Sequence, residues 1–550
     1  MSSDDIPPDW APLLEEFRAR VEAGRAMGGE ARLAKLRAAG RLNAREQIAA
    51  LCDAGSFVEL GTLAGGQPHG EAPAAPADAL VGGLARIDGR PVVVGAEDFS
   101  VQGGSIGFAT HAKRLRYARI AQQERVPLIM LLDGAGERAS NALSRHPYAP
   151  NDMQELARLS GQVPTIAVVT GSSAGHGAIT ALLSDLGIML EKATIFAAGF
   201  ANRIPTGALL VSKEDLGGAR IHATQSGVAH NVVPDEAAAF ALIRSYLALL
   251  PSSAWAWPPA RVSGDAGPRR LDAILHLVPR DAQKPYDMRA VVRELLDDGE
   301  ALELQPQFGR SLLTVLGRLG GETVAVLANQ PMFLAGSVDR DAADKAARFL
   351  QVADAFHVPV IFLADNPGIL SGSKAERAGT LRAAARMFMA QSQLRVPKLH
   401  VTLRKAYGFG SSIMAMNPFD GQTLAVAFPG ISLGGMPAAG GAEAAGLGAD
   451  DRRRMQEAQS GGAWSAGDTL AYDEIIDPRE LRNVLLAGPP PARAPRAPPA
   501  GPAPHSGPWP RDRPRPSPPP RWRGGMWGRS PGPWGGASAP PVPRAAYRCG

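Results

Sequence analysis

The chain has 550 residues, 45% of them apolar, with 62 Gly and 48 Pro and a formal net charge of +5. Two cysteines, Cys52 and Cys549, exclude a disulfide framework and a four-cysteine zinc ribbon, and no apolar run reaches the roughly 18 residues of a membrane span. Ten Arg and one acid, Asp512, put +9 on residues 489–550, so residues 1–488 carry about −4 and the charge gives no reason to expect nucleic acid.

In chain order, the N-terminus MSSDDIPPDW lacks the basic start and apolar core of a secretory signal, so a cytoplasmic location is expected. From Gly89 onward the chain repeats itself. Residues 89–138 and 321–370, 232 positions apart, share fifteen identities in fifty positions without a gap. Among the shared pairs are Gly104 and Gly336, Ser105 and Ser337, Lys113 and Lys345, Asp133 and Asp365, and Gly136 and Gly368. After one inserted residue the match resumes at Val163 and Val396. A unit this long is a duplicated domain, not a short solenoid repeat.

Each copy predicts the same elements. A β-rich run (91–96; 323–328) leads to a Gly-Ser turn and a helix of about 17 residues, with helical spacing of apolar residues clearest over 341–356. A short apolar strand follows (127–132; 359–364) and ends in an Asp that opens a loop. A further helix and strand then reach Gly175-His176-Gly177 and Gly408-Phe409-Gly410, each opening a helix. The alternation predicts an α/β fold with buried parallel strands. The Pro/Trp/Gly-rich stretch 251–268 suggests a boundary, giving domains at 1–260 and 261–488. Residues 489–550, with 20 Pro and four of the eight Trp, cannot build a core and are expected to be disordered. An adaptor tail and an out-of-frame translation of GC-rich DNA both fit that composition.

The G-x-G turns are the candidate chemistry. Glycine permits a sharp turn and a close ligand, and a helix start offers unpaired N–H groups with partial positive charge. Together these can form an oxyanion hole. A single G-x-G is equally a packing turn; two at equivalent places in a duplicated fold strengthen the catalytic reading. Gly171-Ser172-Ser173-Ala174-Gly175 also fits the G-x-S-x-G elbow of serine hydrolases, with Asp365 and His400 as candidate partners. No metal site is expected.

Ordered segments then resemble the carboxyltransferase β subunits of propionyl-CoA and acetyl-CoA carboxylases, from about Gly40 to Leu485. They include Arg41-Leu42-Asn43-Ala44-Arg45-Glu46, Asp53-Ala54-Gly55-Ser56-Phe57, Lys284-Pro285-Tyr286-Asp287-Met288, Asp365-Asn366-Pro367-Gly368 and Arg404-Lys405-Ala406-Tyr407-Gly408. The resemblance implies two tandem crotonase-like domains and carboxyl transfer from carboxybiotin to an acyl-CoA through enolates held by backbone amides. It implies biotin on a separate carrier, a biotin carboxylase partner, a coenzyme A thioester substrate and a homo-hexamer. By position it assigns Gly175, His176, Phe409 and Gly410 to the two holes. Gly104, Ser105, Lys113, Gly136, Arg138, Gly177, Gly408 and Ser412 fall to substrate binding, with Arg114 as a further candidate for the CoA phosphates. His176, Phe409 and Glu137 depart from the family pattern, which often has two glycines at each hole and Ala before the loop Arg. A biotin-dependent decarboxylase subunit and a non-catalytic scaffold are the alternatives within the family.

Overall fold

The computed structural model describes residues 6–65, 76–144, 152–198, 212–417, 420–487 and 501. The expected tail at 489–550 lies outside these, Gly501 apart. Among the described residues the strands fall into two sets of eight. The first is β1 (Val58–Glu59), β2 (Leu80–Ile87), β3 (Arg90–Glu97), β4 (Leu128–Gly134), β5 (Thr165–Ala174), β6 (Leu186–Leu190), β7 (Thr194–Phe196) and β8 (Asn231–Val233). The second is β9 (Ala301–Leu304), β10 (Leu312–Leu319), β11 (Glu322–Asn329), β12 (Val360–Asn366), β13 (Lys398–Tyr407), β14 (Leu424–Ala427), β15 (Ser432–Gly434) and β16 (Glu474–Ile475).

Their order is the same in both sheets. The first runs β1-β2-β3-β4-β5-β6-β8, with β7 beside the end of β5; the second runs β9-β10-β11-β12-β13-β14-β16, with β15 beside the end of β13. The duplication read from the sequence is therefore a duplication of topology. Pairing from β3 through β8, and from β11 through β16, is parallel. The first three strands of each copy pair antiparallel; β1, β2, β9 and β10 precede the strands expected from the sequence. The cause is local. Asp88-Gly89 and Gly320-Gly321 all have positive φ, as a tight two-residue hairpin turn requires. A carboxylate caps each turn: Asp53 accepts from the Asp88 and Gly89 amides, and Asp297 from those of Gly320 and Gly321.

Every residue of β4 and of β12 is buried, as both-face coverage of a parallel strand demands. Behind them lie the helices Phe108–Glu124 and Arg340–Ala355. One continuous apolar core contains residues from both copies, and a second lies under the outer face of the second sheet. Cross-copy hydrogen bonds join them: Gln305 Nε2 donates to Gly227 O at 3.0 Å and Asn231 Nδ2 to Glu303 O at 2.9 Å. Residues 251–268 contain neither helix nor strand.

The ammonium groups of the paired lysines are buried. Lys345 Nζ donates to the carbonyls of Gln305, Phe308 and Leu312, and Lys113 Nζ to those of Ala77 and Leu80. Both stitch the approach to a hairpin onto the central helix. Lys113 is thus a corrected assignment: its charge is spent on main-chain oxygens and does not face the crevice. Sequence spacing does not reveal where a long side chain ends.

Candidate active site

Strand β5 ends at Ala174; Gly175 follows, with φ of +52° and ψ of −113° that suit only glycine, and the helix His176–Leu183 starts at once. Strand β13 ends at Tyr407, and Gly408 turns with φ +54° into the helix Gly408–Ile413. β7 and β15 hold the two turns from the side, pairing with Ser172–Ala174 and Lys405–Tyr407. In the first copy Gly175 N–H donates to Phe196 O at 3.0 Å. First-turn amides have no acceptor within their own helix. Those of His176, Gly177 and Ala178, and those of Phe409 and Gly410, have none among the described residues.

A second loop meets each turn. A Cβ on Gly136 would lie 2.7 Å from Ala174 O and 3.7 Å from Gly175 N, so loop 134–138 runs against the end of β5. Glu137 bridges to Ile106 in parallel fashion, with Ile106 N–H donating to Gly136 O and Arg138 N–H to Ile106 O. In that pattern the amide of Glu137 itself points away from Ile106. Ile369 bridges Val338 in the same way in the second copy. The amides of Glu137 and Ile369 were missed by sequence reasoning; only the repeat of the loop could have pointed to them.

Close packing explains the other glycines. A Cβ on Gly104 would meet Asp133 O at 2.1 Å, one on Gly177 Ser173 Oγ at 2.8 Å, and one on Gly410 the Cα of Gly368 at 2.7 Å. Ser105 Oγ donates to Gln102 O and accepts from Arg138 Nε. Arg138 also donates to Ser105 O and pairs with Asp78, so its guanidinium fastens the loop. Ser412 Oγ accepts from Asn417 Nδ2, and its carbonyl from Gln391 Nε2, at the far end of the second helix. Arg114 is withdrawn from the phosphate candidates. It is buried and donates to Asp152 at 2.7 Å, to Glu97 at 3.0 Å and to Thr180.

The family-like segments hold this frame. Asn43 and Glu46 form a reciprocal cap on the helix Ala44–Leu51, Arg45 forks onto Glu59, and Arg41 pairs with Asp133 at the end of β4. In the second copy Arg404 donates to Asp365 at 2.7 Å and to the carbonyls of Pro279, Asp281 and Lys284, above the Tyr286 ring.

The side chain of His176 turns inward. Its Nε2 lies 2.7 Å from Asp152 Oδ1, and its ring meets His111 edge-on at 4.9 Å. His111 also reaches Glu137, at 2.8 Å. Burial opposes charge on His111, but its bonds to Asp152 and Glu137 outweigh this and raise its pKa to about 9. Burial likewise opposes the Asp152 carboxylate, yet Arg114 and the two histidines hold it far below the usual range. Glu97, wholly buried, is pushed up to about 7 despite Arg114 and the Asp133 amide. Phe409 lies against Phe388 with ring centres 5.5 Å apart.

The hydrolase reading fails on geometry. Ser173 is fully buried inside β5, and its Oγ has no hydrogen-bond partner among the described residues. Asp365 is paired with Arg404, and His400 bonds Met414 O and Thr402. No helix among the described residues is long and apolar enough to cross a membrane.

The profile of the carboxyl transferase domain family matches residues 35–484. The methylmalonyl-CoA decarboxylase subunit alpha of Veillonella parvula is 34% identical over 487 residues, covering 86% of this chain and 94% of that one. The propionyl-CoA carboxylase beta chain of Saccharopolyspora erythraea is 35% identical over 469 residues, covering 80% and 83%. The crystal structure of transcarboxylase 12S, a hexamer with methylmalonyl-coenzyme A and methylmalonic acid bound, superposes with a TM-score of 0.81 at 30% identity, over 90% of this chain and all of that one. The duplicated fold, the paired glycine turns and these relatives agree: the chain belongs to the carboxyl transferase domain family, as an enzyme subunit of the biotin-dependent acyl-CoA carboxylase type.

Proposed function

We propose that the chain transfers a carboxyl group from carboxybiotin on a separate carrier protein to the α-carbon of a short acyl-CoA, propionyl-CoA or acetyl-CoA. The observation that carries this reading is the pair of glycine turns, each leaving main-chain N–H groups unclaimed at equivalent ends of two matching sheets. Such donors suit an oxygen that becomes negative during reaction, because they are fixed beforehand and need no reorganisation. One domain, 1–260, offers its hole through His176 and the Glu137 amide; the other, 261–488, through Phe409, Gly410 and the Ile369 amide.

When bound, carboxybiotin supplies CO₂ and a ureido base for the α-proton. The chain's part is electrostatic. One hole takes the thioester enolate oxygen and the other the ureido oxygen, and each donor contributes roughly 3 kcal/mol of transition-state stabilisation. No side-chain general base is required. His176 serves through its amide, since its imidazole is turned to Asp152. Gly104, Ser105 and Arg138 shape the first crevice, with Gly136 and Gly177 keeping the backbone close; Gly408 and Ser412 shape the second. The active unit is a hexamer, as the assembly of the 12S relative suggests, and it works with a biotin carboxylase and its biotin carrier.

The same two holes serve the reverse reaction, and a decarboxylase subunit is among the relatives. A panel of acyl-CoAs, assayed with the biotin-carrying partner, ATP and bicarbonate, separates the directions. Carboxylation of propionyl-CoA or acetyl-CoA supports the proposal. Carboxyl removal from methylmalonyl-CoA without net carboxylation replaces it with the decarboxylase, and assembly without either activity leaves a scaffold.

A further inference from the structure

Four side chains that no step above uses converge beneath the first hole. His111 Nδ1 lies 3.4 Å and His176 Nε2 lies 2.7 Å from the same oxygen, Asp152 Oδ1. These three ligand atoms all fall within 4.8 Å of one another. The other nitrogen of His111, Nε2, is 2.8 Å from Glu137 Oε2, and Glu137 Oε1 accepts from Asn141 Nδ2 at 2.6 Å. Glu137 and His176 are the two departures from the family pattern in the first half of the chain, and His111 joins them.

We propose that His111 Nδ1, Asp152 Oδ1 and His176 Nε2 bind one divalent transition-metal ion, zinc by preference, behind the helix that opens the first hole. Two imidazoles and a carboxylate are a common zinc donor set, with a fourth position left for water. Glu137 gives His111 the carboxylate partner that orients a metal-bound imidazole and strengthens it as a ligand. Zn–N and Zn–O bonds of about 2.0–2.2 Å require small side-chain shifts from the present spacing and no change of backbone.

Charge favours a dication here. Glu97 and Asp152 share the guanidinium of Arg114, and Glu137 faces His111. Arg114 occupies Asp152 Oδ2, which leaves Oδ1 to the histidines and to the ion. The ion would lock His176, whose amide belongs to the hole, and so acts by positioning. The sequence hides the site because its ligands lie 41 and 24 positions apart, on three separate helices.

The test uses untagged full-length protein, stripped with a chelator and then titrated with Zn²⁺ by calorimetry and with Co²⁺ by visible spectroscopy. One equivalent per chain is expected, with the intense absorption of a four-coordinate cobalt site and a zinc-dependent rise in melting temperature. His111→Gln should weaken binding at least about 100-fold, and Glu137→Gln, which keeps all three ligands, about 10- to 100-fold. His276→Gln, on an exposed residue, should leave the titration unchanged. Failure of the unaltered protein to bind either ion, or equal binding by His111→Gln, overturns the proposal. The cobalt spectrum of the unaltered protein decides the matter even if a variant fails to fold.

Discussion

Gly175 and Gly408, 233 positions apart, share a positive φ, +52° and +54°, each where the longest strand of its sheet becomes a helix. They differ in what surrounds them. A Cβ on Gly408 would lie 2.7 Å from Gly435 O, whereas one on Gly175 would have its nearest neighbour, Ala197 O, at 3.7 Å.

Alanine at either glycine should therefore strain the backbone by about 1–3 kcal/mol, and Gly408→Ala should destabilise more because it adds a contact with a carbonyl. Urea unfolding of the two variants checks the order. Equal losses would mean that the steric difference does not matter.

The buried lysines support the frame. Replacing Lys345 by Met removes the ammonium from three buried carbonyl oxygens, of which Gln305 O keeps the Phe308 amide, at a cost of about 3 kcal/mol. Lys113→Met should behave alike and should leave KM for the acyl-CoA unchanged, because its ammonium lies away from the crevice. Melting temperature and KM, measured together, separate this structural role from the phosphate contact that sequence alone suggests.

His400 predicts an acid limit. Burial lowers its pKa to about 4, against an unfolded value near 6.5, while Met414 O accepts from Nδ1 and the Thr402 hydroxyl reaches Nε2. The folded state excludes a proton that the unfolded state binds, so stability is full above about pH 6.5 and falls as pH drops toward 4, by about 3 kcal/mol. His400→Gln should be less stable at neutral pH but should lose this part of the slope, measured by urea unfolding across that range. Because Met414 follows the second hole helix directly, activity of the folded protein should fade only as pH approaches about 4, where His400 itself takes up a proton.

Ser173→Ala should keep activity within about twofold and should not lower the melting temperature, since the hydroxyl is buried without a partner among the described residues. A fluorophosphonate probe should label neither form. Labelling at Ser173 would revive the hydrolase.

Much of this was legible in the sequence. Fifteen identities at one spacing located β3, β4, β11 and β12 to within a residue or two, and the match that resumes after one inserted residue put both glycine turns in register, because a repeated pattern of glycine and buried strand survives without its partners. The antiparallel hairpins were not read, although Asp88-Gly89 and Gly320-Gly321 signal them. Lys113 and Arg114 were expected to meet substrate, whereas both side chains are buried. The His111, Asp152, His176 and Glu137 cluster had no signal at all, since only the fold brings together residues that share no local spacing.

Free-biotin-dependent decarboxylation of methylmalonyl-CoA and malonyl-CoA, compared between the unaltered protein, Gly175→Ala, Gly408→Ala and Ser173→Ala, bears most directly on the two backbone holes. Each glycine variant, folded and still binding coenzyme A thioester, should lose about 10²–10³ in kcat, while Ser173→Ala keeps its rate. Glycine variants that fold and turn over at the unaltered rate would contradict the account.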